Sequence, residues 1–115
     1  MVPTIVTKDG KVYMVLGAPG GPTIITAVMQ VLLNVIDFGM NLQQAVDQPR
    51  IHHQWMPDSL SVENATSPDT IALLKQFGHT IRPTGSMAEV EAIRADGQWI
   101  EGAADGRTEG TARGY

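Results

Sequence analysis

An α+β fold, with helices layered on a mostly antiparallel sheet, is what the sequence predicts. Three observations carry this: two Asp-Gly hairpin signals, one long apolar helix, and the element order ββααβ(β)αββ. Thr4 to Thr7 and Val12 to Leu16 are β-branched and apolar runs flanking Asp9-Gly10, a pair suited to the positive φ angles of a tight hairpin. The second run does not alternate, which predicts a strand covered on both faces.

Gly17-Ala18-Pro19-Gly20-Gly21-Pro22 is a sharp break, followed by a helix from about Pro22 to Phe38. This helix is apolar almost all round. Thr26, Gln30, Asn34 and Asp37 form one narrow polar stripe, so burial over most of the circumference is expected. Gly39 closes the helix, and Asn41 is placed to cap a second one, with Gln44 positioned to reach back and Pro49 as the stop. Arg50 to Trp55 and Leu60 to Glu63 read as strands. Ser67-Pro68-Asp69 opens a third helix that carries Ile71, Leu74 and Phe77 inward and stops at Gly78. Val90 to Ala95 and Gln98 to Glu101 flank Asp96-Gly97, the second hairpin. From Gly102 onward there is no apolar run, and the tail carries Arg107 and Arg113.

Composition narrows the function. The 115 residues suffice for one domain spanning 1–115, and 43% hydrophobic content supports a packed core. A net charge of -4 without any basic run argues against nucleic-acid binding and against a polybasic membrane patch. The chain has no cysteine, which removes disulfides, thiolate metal sites and cysteine nucleophiles. The longest apolar stretch, Ile24 to Ile36, falls well short of the roughly 20 residues of a bilayer span. No cofactor and no metal is expected.

Gly17 to Gly21, between a strand and a helix, is the strongest chemical lead. Free N–H groups at a helix N-terminus favour negative charge, and glycine lets a substrate approach the backbone. Two functions fit, a phosphate cradle or an oxyanion hole, beside the plain alternative of a tight turn. The Lys-Ser/Thr pair of a P-loop does not follow the glycines, which weakens the phosphate reading. His52 and His53 are neighbours on a strand and point to opposite faces, so a structural role is favoured over a shared metal ion. His79 reads as a turn residue. Asp47, Asp58, Glu63 and Asp69 are scattered and define no carboxylate pair. Arg50 could hold a substrate carboxylate, but an ion pair orienting the strand end is favoured. Trp55 and Met56 are read as covering core edges. No serine or threonine comes with an adjacent base, so only part of an active site is visible.

Several segments, in order, resemble the γ-glutamyltransferases (γ-glutamyltranspeptidases, glutathione hydrolases). Met1-Val2-Pro3-Thr4-Ile5 is similar to the family's Met-x-Pro-Thr-Ile strand, and Gly17 to Gly21 to its Gly-Ser-Pro-Gly-Gly loop. Val31 to Met40 is similar to its long helix and following turn. Ala45 to Asp58, containing Pro49-Arg50-Ile51-His52-His53-Gln54-Trp55-Met56-Pro57-Asp58, resembles its Ala-Pro-Arg-Phe-His-His-Gln-Trp-Leu-Pro-Asp segment. Gly102-Ala103-Ala104-Asp105-Gly106-Arg107 and the closing Gly114-Tyr115 are similar to its Gly-Ala-Ser-Asp-Pro-Arg and Gly-Tyr. Alanine at 18 and glycine at 106 depart from the pattern.

The resemblance implies part of an αββα sandwich of the N-terminal-nucleophile hydrolases, from the C-terminal part of the small subunit. It implies a threonine nucleophile that attacks the γ-glutamyl carbonyl of glutathione or a related amide, with the acyl group released to water or an amino acid or peptide. It assigns Gly20 and Gly21 as backbone donors to the oxyanion. The threonine, a pair of serines and the groups that grip the substrate are expected upstream of Met1 or in the large subunit. The isolated chain is therefore expected to be inactive, and to need the rest of both subunits or to self-associate. A catalytically inactive binding or assembly module of the same origin is the alternative. The resemblance places the parent in the periplasm or outside the cell.

Overall fold

The computed structural model describes residues 2–114. Ten elements follow in order: β1 (Thr4–Lys8), β2 (Lys11–Gly17), α1 (Thr23–Ile36), α2 (Leu42–Asp47), β3 (Ile51–His52), β4 (Leu60–Glu63), α3 (Pro68–Gln76), β5 (Ile81–Thr84), β6 (Glu91–Asp96) and β7 (Trp99–Ala103). They form a four-stranded antiparallel sheet, β1-β2-β6-β7, and a three-stranded sheet, β3-β4-β5. Both Asp-Gly turns are where the sequence places them, with Asp9 at φ 53° and Gly10 at φ 76°.

The larger sheet has one covered face. Met14, Leu16, Ala92 and Ala103 point from it into a core completed by Val28, Val31 and Val35 of α1 and by Leu42, Ala45 and Val46 of α2. Burial of each of the valine, leucine and methionine side chains contributes about 1.5–3 kcal/mol, and of each alanine less. The other face is open. Ile5, Val15 and Ile93 lie in register across three strands, and Ile5 and Ile93 are more than half exposed. The two-sided cover expected for β2 is thus present on one side only within these residues.

Helix α1 shows the same one-sidedness, in a way the polar stripe did not suggest. Gln30 donates through Nε2 to the carbonyl of Ile51 (2.8 Å) and accepts its N–H through Oε1 (2.9 Å). Thr26 Oγ1 lies 2.8 Å from His52 Nδ1, and Asn34 donates to the carbonyl of Ala45 (3.2 Å). The stripe is therefore turned toward β3 and α2, whose short backbone segments need partners. Ile25, Met29, Leu33 and Ile36, spaced at four, four and three, face outward and are exposed. The expectation of burial over most of the circumference is not met by this chain alone.

Local details follow the capping rules with small shifts. Asn41 Oδ1 accepts the N–H of Gln44 (2.9 Å), so the backbone of Gln44 makes the bond, not its side chain. Ser67 caps α3 by accepting the N–H of Thr70. Phe77 is a correction: it was expected inward and is 77% exposed, while Ile71 and Leu74 are only partly covered. Strand β3 holds two residues of the expected Arg50 to Trp55 run, because Trp55 at φ 74° leaves the extended region. Strand β5 was not anticipated. Its Pro83 reads as a breaker, yet proline is tolerated at the sheet edge, where β5 pairs in parallel with β4.

Candidate functional site: a glycine loop on a buried ionic cluster

Strand β2 ends at buried Gly17, buried Ala18 follows it, and the chain then turns outward through Pro19, Gly20 and Gly21 into α1. Gly20 has φ 141° and Gly21 φ 59°, values that disfavour any side chain. The carbonyls of Gly20 and Gly21 accept the N–H groups of Thr23 (3.4 Å) and Ile24 (3.2 Å), and Thr23 Oγ1 also donates to Gly20 (2.8 Å). The N–H groups of Gly20 and Gly21 themselves find no acceptor among the described residues. Two adjacent free donors thus stand at the positive end of a 14-residue helix. Such a pair can hold an anion or a developing oxyanion.

The loop is backed by a second segment. A Cβ on Gly20 would lie 2.7 Å from Ala88 Cα and 2.8 Å from Ala88 Cβ, and Glu89 N–H donates to the Pro19 carbonyl (3.3 Å). Residues 87–90 are in turn tied to a buried cluster of four charges. Arg50, 2% exposed, donates to the carbonyls of Met87 (2.9 Å), Ala88 (3.3 Å) and Val46 (2.8 Å) and to Asp105 Oδ2 (2.7 Å). Asp105 Oδ2 also accepts Val90 N–H (2.7 Å), and Glu63 Oε1 accepts Met87 N–H (2.8 Å). Arg107 spans both acids, with Nη1 at 3.0 Å from Asp105 and Nη2 paired with Glu63 at 2.5 Å. Two cations and two anions, each with further hydrogen bonds, largely meet the condition for burying charge, with Arg50 Nε left without a partner among the described residues.

This arrangement decides several expectations. The favoured reading of Arg50 holds, since it makes an ion pair and is enclosed. Arg107, which the sequence places in the tail, is anchored by Glu63 and Asp105. Glu63 belongs with Asp105 in one cluster, which the sequence did not disclose.

Burial pushes the Glu63 carboxyl up, but hydrogen bonds from Arg107 and from the N–H groups of Arg50 and Met87, with the charge of Arg107, leave it below its ordinary 4.5. Burial likewise raises Asp105. The N–H groups of Val90 and Arg107 and the guanidinium groups of Arg107 and Arg50 outweigh it, leaving Asp105 below 3.8. Arg107 is raised, first by its bond to Glu63, against the cost of burial. Both carboxyls are depressed in the folded state, so their contribution is fully present above their ordinary values. It is lost as pH falls through those values toward the folded ones. The urea midpoint is expected to be flat from neutral pH to about pH 5 and to fall below it. Glu63→Gln should remove part of that dependence, and an unchanged profile in this variant would contradict the assignment.

With this geometry in hand, similarity to known proteins is informative. The γ-glutamyltranspeptidase family model matches residues 1–115, the whole chain. The chain belongs to the γ-glutamyltranspeptidase family. It is 46% identical over 110 residues to the glutathione hydrolase proenzyme of Escherichia coli, covering 94% of this chain and 19% of that protein. Against the glutathione hydrolase proenzyme of a Pseudomonas species (strain A14) it is 61% identical over 79 residues, covering 68% of the chain and 14% of that protein. The γ-glutamyltranspeptidase of Pseudomonas nitroreducens, solved with L-DON, superposes with a TM-score of 0.91 at 39% identity, over 100% of this chain and 62% of that one. The chain therefore spans about a fifth of the curated relatives' length. Its α+β fold is that of the N-terminal-nucleophile hydrolase γ-glutamyltranspeptidases.

Other family-segment residues take structural places. His52 is buried between Thr26 and Gln54, whereas His53 bonds Asp58 and the N–H of Trp55. No group of three or more His, Asp or Glu placed to hold a metal occurs among the described residues. No helix among them is long and apolar enough to cross a membrane. Trp55 and Met56 are exposed, contrary to the expected role at the core edge. Beside Gly20, and not anticipated from the sequence, opens a pocket of about 420 Å³.

Proposed function

We propose that this chain supplies the oxyanion hole of a γ-glutamyltransferase, as part of its small subunit. Gly20 and Gly21 donate their N–H groups to the oxygen of the γ-glutamyl carbonyl as it becomes tetrahedral. The observation that carries this is the pair of adjacent, unaccepted N–H groups, preset by positive φ at the start of α1. Donors fixed before the reaction need no reorganisation when charge develops, and removing one such donor typically costs about 10²–10³ in rate. The threonine nucleophile, which attacks the carbonyl and carries the acyl group, comes from the remainder of the enzyme. Water or an amino acid or peptide then takes the acyl group.

The open faces support the same reading. Ile5 and Ile93 on the sheet, and Ile25, Met29, Leu33 and Ile36 on α1, are apolar surfaces of the kind that another layer covers. Their partners are the rest of the small subunit and the large subunit, or a second copy of the chain when those are missing. Size-exclusion chromatography of the pure chain should show association that grows with concentration; a compact monomer at high concentration would contradict this.

Turnover tests the chemistry directly. The chain alone should not release p-nitroaniline from γ-glutamyl-p-nitroanilide, and release should appear when a threonine-bearing remainder is supplied. Calorimetric binding of glutamate or glutathione to the chain, without turnover on assembly, would favour an inactive binding module instead.

A further inference from the structure

Each of the two loop donors shares a peptide plane with a carbonyl, and both carbonyls are held. In a trans peptide the C=O and the following N–H point opposite ways, so whatever fixes one aims the other. Both peptides here are trans. The Pro19 carbonyl, which aims the Gly20 N–H, accepts from Glu89 N–H at 3.3 Å. The Gly20 carbonyl, which aims the Gly21 N–H, accepts from Thr23 Oγ1 at 2.8 Å and from Thr23 N–H at 3.4 Å. The hydroxyl bond has the ordinary length for its kind and the amide bond is longer than usual, so the Thr23 side chain is the firmer hold.

The Gly20–Gly21 peptide needs such a hold. With no Cβ on either side it can turn over at little steric cost, and that would reverse the Gly21 N–H. Helix α1 has Pro22 at its N-cap and no side chain capping its first turn. Pro22 brings no N–H of its own. The Thr23 hydroxyl donates backward to a carbonyl, so it steadies the loop without consuming either glycine N–H. We infer that Thr23 is a positioning residue, whose hydroxyl locks the Gly20–Gly21 peptide and so aims the Gly21 N–H at the reacting oxygen. The inference rests on the oxyanion reading of Gly20 and Gly21. Thr23 acts through the Gly20 carbonyl and not on the substrate.

Thr23→Ala and Thr23→Ser provide the test, first in the chain assembled with a threonine-bearing remainder. Alanine should lower kcat for γ-glutamyl-p-nitroanilide about tenfold, the scale of one lost hydrogen bond, with KM changed less than about twofold. Serine keeps the donor and should stay within about twofold of the native kcat. In ¹H–¹⁵N spectra of the whole chain, the Gly21 amide should broaden in Thr23→Ala and sharpen again in Thr23→Ser. The Gly20 amide, aimed by the Pro19 carbonyl, should stay sharp in both. An unchanged Gly21 amide in Thr23→Ala, or equal kcat losses with alanine and serine, would overturn the inference. If Thr23→Ala does not fold, Thr23→Val removes the same donor and is compared with serine in its place. A broadened Gly21 amide with native kcat would keep the lock and remove the oxyanion reading. A native Gly21 amide in Thr23→Ala, beside a large loss of kcat in Gly20→Ala, would do the reverse.

Discussion

Gly20→Ala is expected to abolish most of the activity of an assembled enzyme, lowering kcat by about 10²–10³-fold. The new methyl would meet Ala88 Cα at 2.7 Å and Thr23 Oγ1, itself bonded to the Gly20 carbonyl, at 3.0 Å, and neither neighbour can retreat freely. Thr23 sits at the start of α1, and Ala88, itself at φ 53°, is held by Arg50 through its carbonyl. The loop must move instead, and its donors move with it. Gly21→Ala is the informative contrast. It has nothing within 4 Å of the added carbon, so only its φ of 59° is strained, at about 1–2 kcal/mol. Its loss in kcat should be about tenfold or less. Equal effects of the two substitutions would show that conformational strain, not the contact with residue 88, controls the loop.

Asp105→Ala should be the most destabilising single change, by about 3–5 kcal/mol in urea unfolding. Asp105 is fully enclosed and accepts from Arg50 and Val90 through one oxygen, and from the backbone and side chain of Arg107 through the other. Its removal leaves Arg50 charged, buried and facing carbonyls alone. Against a typical domain stability of about 5–15 kcal/mol this is a large fraction. Glu101→Gln serves as the comparison. Its pair with Arg94 is partly exposed, with the side chains of Glu101 39% and Arg94 14% exposed, and should contribute about 1 kcal/mol, well below the effect of Asp105→Ala. If Asp105→Ala were as mild as Glu101→Gln, the cluster would not be what holds residues 87–90 beneath the loop.

The parts of this molecule that were legible in its sequence are those set by neighbours along the chain. Asp9-Gly10 and Asp96-Gly97 specify their turns, Asn41 and Ser67 specify their caps, and the Gly17 to Gly21 break specifies a strand-to-helix loop. What escaped depends on residues far apart. Arg50, Glu63, Asp105 and Arg107 meet only after the sheet and α1 have brought three segments together, and no spacing announces them. Strand β5 escaped because Pro83 argues locally against a strand, whereas an edge position with a parallel neighbour removes the objection. Phe77 and the outward stripe of α1 were misjudged for one reason. Apolar residues were assigned to the interior of this chain, although some of its apolar surface has no cover within it. The pocket beside Gly20 was invisible because Thr23, His52, Ser61 and Arg82, which line it, come from four different elements.

One measurement bears most directly on the central claim. Residues 1–115 would replace the matching segment of the Escherichia coli glutathione hydrolase proenzyme, and release of p-nitroaniline from γ-glutamyl-p-nitroanilide would be followed with and without Gly20→Ala. A hybrid that turns over, and loses about 10²–10³ of its kcat with the alanine, is the predicted result. A folded hybrid with no turnover, or one indifferent to residue 20, would contradict the assignment of these glycines as the donors that hold the oxyanion.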